Sequence, residues 1–222
     1  MADYKYGLGR TASILLVDDH PLLRAGLAAR LAAEPDLKVV GEAASESEAL
    51  ELLRNGLPDL AIIDISLRDS SGLDLVRQIR ARGNACKVLV VSGFRESIYG
   101  ERALRAGALG YLNKQEADDR LLDAVRTVLK GKRFCSPTLT QRLMTQALNG
   151  DQELRGVERL TDRELDVYRM IAEGYSSGVI ATKLFISTHT VDTHRENIKR
   201  KLGLKSAGEL TRSAVHWQLE NQ

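Results

Sequence analysis

Along the first 130 positions, short apolar runs alternate with stretches in which apolar residues recur every three or four positions. The runs are Ile14–Val17, Lys38–Ala43, Leu60–Ile65, Lys87–Ser92 and Ala108–Leu112. The periodic stretches fall near 21–33, 46–54, 72–82, 97–106 and 117–130. Short β-branched runs predict strands, and a 3.6-residue period predicts helices. Five βα units in succession predict an α/β doubly wound domain, a five-stranded parallel sheet with helices on both faces. The middle runs are apolar without alternation, as strands covered on both sides require.

After Lys130 the pattern changes. Gly131 to Pro137 reads as a loop, Thr138–Leu148 as one connecting helix, and Asn149-Gly150-Asp151 as a break. From Leu160 onward only helices are predicted. Thr161-Asp162-Arg163-Glu164 is a capping box ahead of Leu165, Tyr168, Ile171 and Ala172 at helical spacing. Ser176 or Ser177 can cap a short helix to Leu184, and Ser187 a longer one that stops at Gly203. Ser206-Ala207-Gly208-Glu209 reads as a second capping box, opening a last helix. The pattern thus divides the chain into 12–131, a linker with a helix over 132–157, and a small all-α domain over 158–222.

Composition narrows the class. In 222 residues, 43% are hydrophobic and 28% charged, which excludes wholesale disorder and collagen-like structure. No apolar run approaches the roughly 20 residues of a membrane span. Met1 to Arg10 carries three charges and no apolar segment, so no secretory signal is read there. Cys86 and Cys135 form neither a metal-ligand spacing nor a disulfide framework. The expectation is a cytoplasmic protein without membrane association. The net charge of +2 is unevenly spread. Residues 1–130 hold 18 basic and 19 acidic side chains, and residues 131–222 hold 14 and 11. Arg195, Lys199, Arg200, Lys201 and Lys205 face only Asp192 and Glu196 within 187–205, a basic stripe that points to a polyanion.

Chemistry-bearing residues fall at the predicted strand ends: Asp18 and Asp19 after the first, Asp64 at the third, Ser92 at the fourth, Lys114 after the fifth. A parallel sheet brings all five to one edge, where ligands of such sheets bind. Clustered carboxylates make a hard-cation site suited to Mg2+. A metal, a lysine and a hydroxyl around one remaining carboxylate make an acyl-phosphate site, in which the carboxylate attacks and the cations neutralise the transferring oxygens. Capping explains each residue singly but explains five at successive strand ends poorly.

Val17-Asp18-Asp19-His20-Pro21, Ile63-Asp64-Ile65, Val91-Ser92-Gly93 and Gly107 to Lys114 resemble the receiver domain of bacterial response regulators, with its flavodoxin-like fold. The resemblance implies that Asp64 is the phosphoacceptor, charged by a sensor histidine kinase. It implies Mg2+ held by Asp19, Asp64 and the backbone carbonyl of Ser66, with Asp18 acting largely through water. It further implies that Lys114 pairs with the acyl phosphate, that Ser92 reorients to bond it, and that Tyr111 is a rotameric switch, which turns inward on phosphorylation. Two features depart from the pattern. Gln115 stands where many receivers have a cis proline, and the loop from Ser66 to Gly72 lacks the usual Met-Pro.

In the second half, a helix near 177–184, a turn at Phe185-Ile186-Ser187 and a helix near 188–202 make a helix-turn-helix. Placing Val191, Ile198 and Leu202 inward puts Asp192, Thr193, Glu196, Lys199 and Arg200 on or beside the outer face. Such a helix can enter the major groove of double-stranded DNA. His194, beside the inward stripe, reads as a packed histidine. Leu160 to Glu164 and Val191 to Leu204 are similar to the LuxR-type DNA-binding domain, and with the receiver this resembles the NarL-type response regulator. The resemblance implies base contacts by Asp192, Thr193 and Glu196 and backbone contacts by Thr190, Lys199 and Arg200. It departs at Ser177-Gly178-Val179 and at His189. The expected function is a phosphorylation-dependent, DNA-binding transcription regulator, not an enzyme, acting as a homodimer when phosphorylated. The alternative is a Mg-dependent phosphohydrolase with Asp64 as nucleophile. That chemistry wants a general acid two residues on, where Ser66 stands.

Overall fold

The computed structural model describes residues 10–67, 71–83, 85–149 and 156–221. The Met1 to Gly9 stretch, Arg68 to Ser70 of the loop after Asp64, and Gly150 and Asp151 of the expected break lie outside the described residues. The chain divides into two compact units, Met1–Thr140 and Gln141–Gln222.

The first unit alternates β1 (Ala12–Val17), α1 (Pro21–Ala32), β2 (Leu37–Ala43), α2 (Glu46–Arg54), β3 (Leu60–Ile63), α3 (Gly72–Ala81), β4 (Lys87–Ser92), α4 (Glu96–Ala106), β5 (Gly110–Asn113) and α5 (Ala117–Leu129). The strands lie in the order β2-β1-β3-β4-β5, and every neighbouring pair is parallel. Order reverses beside β1, so β1 and β3 flank the switch point at which doubly wound sheets bind ligands. On one face Ile14, Leu16, Ile62, Leu89, Val91 and Leu112 pack with Leu27 and Leu31 of α1 and Leu121, Val125 and Val128 of α5. The alternate strand positions Leu15, Val17, Ala61, Ile63, Val88 and Val90 are equally buried, which explains the unbroken apolar runs.

Past α5 the chain stays with this unit. Phe134 pairs with the β5 edge: its N–H donates to Leu109 O (3.0 Å), and its carbonyl accepts from Tyr111 N (2.8 Å). The Ser136 N–H donates to Glu96 Oε1 at 2.8 Å, and Leu139 is buried against Gly100 of α4. The stretch read as loop and linker therefore extends the sheet. The pattern missed it because one bridging residue has no periodicity.

Asp59 ties the start of β3 to that of β1. Its carboxylate accepts from Ser13 N and Ser13 Oγ, each at 2.8 Å, and from the Arg10 guanidinium. The Arg10 hydrogen bond, helped by Ser13 and opposed by burial, holds the Asp59 pKa down to about 2, against 3.8 unperturbed. The unfolded chain protonates first, so this stabilisation is complete above about pH 4 and is lost as pH falls toward about 2. We expect Asp59→Asn to cost about 1 kcal/mol at neutral pH. Urea unfolding across acid pH should show wild type and variant converging as pH falls; a constant gap would refute the assignment.

The second unit holds the end of α6 (Pro137–Asn149), α7 (Asp162–Ala172), α8 (Ser177–Lys183), α9 (Thr188–Leu202) and α10 (Ala207–Asn221). The Thr161–Glu164 capping box is complete, Ser176 and Ser187 cap α8 and α9, and Gly203 ends α9 in the left-handed conformation at φ 69°. The box expected at Ser206 is altered: Ser206 Oγ accepts from Glu209 N, but the Glu209 carboxylate reaches back to Lys205 N. Val191 and Ile198 are fully buried, as expected, whereas Leu202 is half-buried. Among the described residues, no helix is long and apolar enough to cross a membrane.

Candidate phosphoacceptor site and DNA-binding helix

The carboxyl edge of the sheet gathers the predicted residues. β1 ends at Val17 and delivers Asp18 and Asp19, β3 delivers Asp64, β4 ends on Ser92, and β5 delivers Lys114. Lys114 Nζ lies 2.7 Å from Asp64 Oδ2 and 2.8 Å from Asp18 Oδ2. Asp18 Oδ1 accepts from the backbone of His20 at 2.8 Å, and its carbonyl accepts from Arg24 at 2.5 Å. Asp18 and Asp64 are each only 3% exposed. Burial raises the Asp64 pKa against the pull of Lys114. Burial also works against the Lys114 cation, but the two carboxylates outweigh it, so the Lys114 pKa lies above its usual value.

Gly72 at the start of α3 is required by close approach. A Cβ there would lie 1.9 Å from the Asp64 carbonyl oxygen, and Gly72 N donates to Ile65 O at 2.8 Å. No side chain fits between α3 and the backbone that carries Asp64. Ser66 is half-buried and bridged to Ser71.

The donor set fits a divalent cation. Asp18, Asp19, His20 and Asp64 offer ligand atoms within 4.8 Å of one another. Three carboxylates meet one lysine, which leaves negative charge in excess. Asp64 Oδ1 and Asp19 Oδ1 are buried without a hydrogen-bond partner among the described residues. Asp19 Oδ1 lies 2.8 Å from His20 Nδ1, yet not in hydrogen-bond geometry. His20 stands within the Val17 to Pro21 motif, which assigns it no role. Its position directly after two strand-end acids was the available signal.

Ser92 is fully buried and its hydroxyl accepts from Phe94 N at 3.4 Å. Tyr111 is 2% exposed, and its hydroxyl donates to Phe94 O at 2.6 Å. Burial pushes the Tyr111 pKa up, so the phenol stays a donor. The ring points inward, and the buried position and the Phe94 carbonyl hold it there.

In the second unit Asp192, Thr193, Glu196 and Arg200 of α9 are exposed, and Thr190 and Lys199 half-buried. Several have partners the pattern did not foresee. Asp192 accepts from Ser177 Oγ of α8 at 2.9 Å. Glu196 pairs with Lys199 at 2.9 Å, and Arg200 donates to Asn197. Lys201 leaves the basic stripe altogether, because its Nζ lies 2.5 Å from the buried Glu164 carboxylate of α7. Burial opposes ionisation of Glu164, but Lys201 and the Thr161 cap outweigh it and hold the Glu164 pKa low. His194 is half-buried, and burial lowers its pKa, in keeping with a packed histidine.

Comparison with known proteins agrees with this division. Residues 14–126 match the response regulator receiver domain, and residues 158–214 match the bacterial regulatory proteins of the luxR family. The chain belongs to the response-regulator family. Oxygen regulatory protein NreC of Staphylococcus aureus is 35% identical over 212 residues, covering 93% of this response regulator and 98% of NreC. The crystal structure of a LuxR-family two-component response regulator from Aurantimonas sp. SI85-9A1 is 34% identical. It covers 62% of this chain and 99% of its own, with a TM-score of 0.57. RcsB from Salmonella enterica serovar Typhimurium, bound to promoter rprA in the presence of phosphomimetic BeF3-, matches 91% of this response regulator and 98% of its own chain. Its TM-score is 0.67 at 23% identity, which supports the fold. Both matched families are regulators, so the phosphohydrolase alternative is not favoured.

Proposed function

We propose that this response regulator accepts a phosphoryl group from a sensor histidine kinase on Asp64, and that phosphorylation changes how residues 158–222 bind double-stranded DNA. The observation that carries the reading is the buried Asp64 carboxylate, with one oxygen on Lys114 and the other without a hydrogen-bond partner among the described residues, close to Asp18 and Asp19. Asp64 would be the nucleophile. Lys114 neutralises charge on the transferring group, and Ser92 stands behind the same carboxylate to bond it. Asp19, Asp64 and the Ser66 carbonyl would hold Mg2+, with Asp18 acting through water and His20 beside them. When bound, Mg2+ supplies charge neutralisation on the phosphoryl oxygens. The receiver function belongs to the first unit, which runs past the expected boundary at 131 through Phe134 and Leu139, and the connection is the remainder of 132–157. Phosphorylation adds about −1.5 to −2 charge beside Lys114 and Ser92. Its effect reaches the Phe94 loop and Tyr111, and it favours a homodimer.

The test is selection of bound duplexes from a random pool, with and without Mg2+ and a small acyl-phosphate donor, alongside sedimentation. Phosphoryl incorporation with changed DNA enrichment and a heavier species is expected. Incorporation with no change in either refutes the coupling.

For α9 we propose base contacts by Asp192, Thr193 and Glu196, and backbone contacts by Thr190, Lys199 and Arg200. Carboxylates are costly beside phosphates, yet at a groove floor they accept from cytosine amino groups. Glu196→Ala is expected to relax base preference with little change in non-specific affinity. Arg200→Ala should weaken binding to every sequence and shallow the salt slope by about one unit. Binding curves on matched and scrambled duplexes at several salt concentrations check both. An unchanged matched-to-scrambled ratio for Glu196→Ala would leave Glu196 only as the partner of Lys199.

A further inference from the structure

We propose that Asn113 is a positioning residue that fixes Lys114 for phosphoryl transfer and ties it to the loop between β4 and α4. The inference rests on the reading of Asp64 as phosphoacceptor. β5 ends at Asn113, and the chain turns at once into a single 3-10 turn over Lys114–Glu116. Asn113 sits before that turn in extended conformation, φ −73° and ψ 137°. Its Oδ1 accepts from Gln115 N at 2.9 Å, and its Nδ2 donates to Phe94 O at 3.0 Å. One bond needs the oxygen of the amide and the other the nitrogen, so a single orientation satisfies both.

The two bonds do different work. The first is a cap, and it fixes the backbone of the residue that must send Nζ to both Asp64 and Asp18. A lysine ammonium sits on a flexible four-carbon stem, so a backbone fixed at its root narrows the positions the ammonium can reach and lowers the cost of holding it at the two carboxylates. The second bond shares an acceptor with Tyr111, whose hydroxyl donates to the same Phe94 carbonyl at 2.6 Å. A carbonyl has two lone pairs, and Tyr111 and Asn113 can fill both. Phe94 lies two residues past Ser92, whose hydroxyl takes the Phe94 N–H. Asn113 thereby joins Lys114 to the loop that carries Ser92. Gln115 completes the arrangement, because proline, which many receivers place after the lysine, has no N–H for Asn113 to cap.

The experiment follows phosphoryl uptake by the full chain from acetyl phosphate, with Mg2+ affinity measured calorimetrically. It compares wild type, Asn113→Ala and Asn113→Ser. Asn113→Ala loses both bonds. Asn113→Ser keeps an acceptor for Gln115 N but is too short to reach Phe94. The initial uptake rate should fall about tenfold in Asn113→Ala, the effect of one or two lost hydrogen bonds. Asn113→Ser should recover part of that loss, and Mg2+ affinity should stay at the wild-type value in both. An unchanged rate in Asn113→Ala overturns the proposal. A parallel fall in Mg2+ affinity also overturns it, since the substitution then damages the whole edge. Full recovery in Asn113→Ser removes the tie to Phe94 and refutes that half. If wild type takes up no phosphoryl group, the reading of Asp64 falls and this inference with it; every other outcome judges Asn113 alone.

Discussion

Asp64→Asn is expected to abolish labelling by Mg2+ and a small acyl-phosphate donor, while wild type takes up one phosphoryl group per chain. The amide has the shape of the carboxylate but is not a nucleophile, and it removes one charge from the cation site. Its bulk is unchanged, so α3 can still approach through Gly72, and the fold should be retained. Asp18 and Asp19 stand close by but do not substitute. Asp18 is held on both oxygens, by His20 N and by Lys114, and Asp19 is proposed as a cation ligand, not a nucleophile. Intact-mass measurement decides the point. Persistent stoichiometric labelling of the variant would move the phosphoacceptor elsewhere and undo the proposed chemistry of the edge.

The second large effect is on stability. Arg126 of α5 is 7% exposed and reaches across to the segment between α1 and β2. Its guanidinium contacts Glu34 Oε2 at 2.5 Å and Asp36 Oδ1 at 3.1 Å, with Asp36 itself 3% exposed. The two carboxylates raise the Arg126 pKa even though burial opposes the charge, so the group stays cationic. Removing it strands a buried carboxylate beside the sheet. Arg126→Ala should therefore cost about 3 kcal/mol, near the lower figure for breaking a buried pair because Glu34 keeps access to water. Arg126→Lys should recover part of this, since it restores the charge but not the two-pronged contact. Trp217 lies in the second unit, so its fluorescence is not a direct probe of this site. Amide exchange in β1, β2 and α5 is the suitable measurement, and a loss under about 1 kcal/mol would show the pair to be dispensable.

The architecture was legible because two signals agreed. Apolar runs of four to six residues gave the strands, and the capping serines and threonines gave the helix starts of the second unit almost to the residue. The site was legible because parallel strands all present their ends at one edge, so strand ends alone located Asp18, Asp19, Asp64, Ser92 and Lys114. What stayed hidden depends on contacts between distant segments. Nothing in the local pattern says that Lys201 is consumed by Glu164, or that Asp192 bonds Ser177. Asn113 reads locally as a turn former; its importance comes from Phe94, nineteen positions earlier.

The pairing of Phe134 with β5 bears on how this sheet behaves among other proteins. An uncovered parallel edge is a template for foreign strands and a seed for aggregation. Here the chain blocks that template with a residue of its own, taken from beyond the last helix of the five-unit pattern. Among the described residues the sheet is left with one open border, β2, where the exposed side chains of Lys38 and Glu42 flank the exposed Val40. A fragment trimmed to the five βα units would lose the guard on β5 and be left with only the Lys38 and Glu42 charges on β2 to discourage pairing.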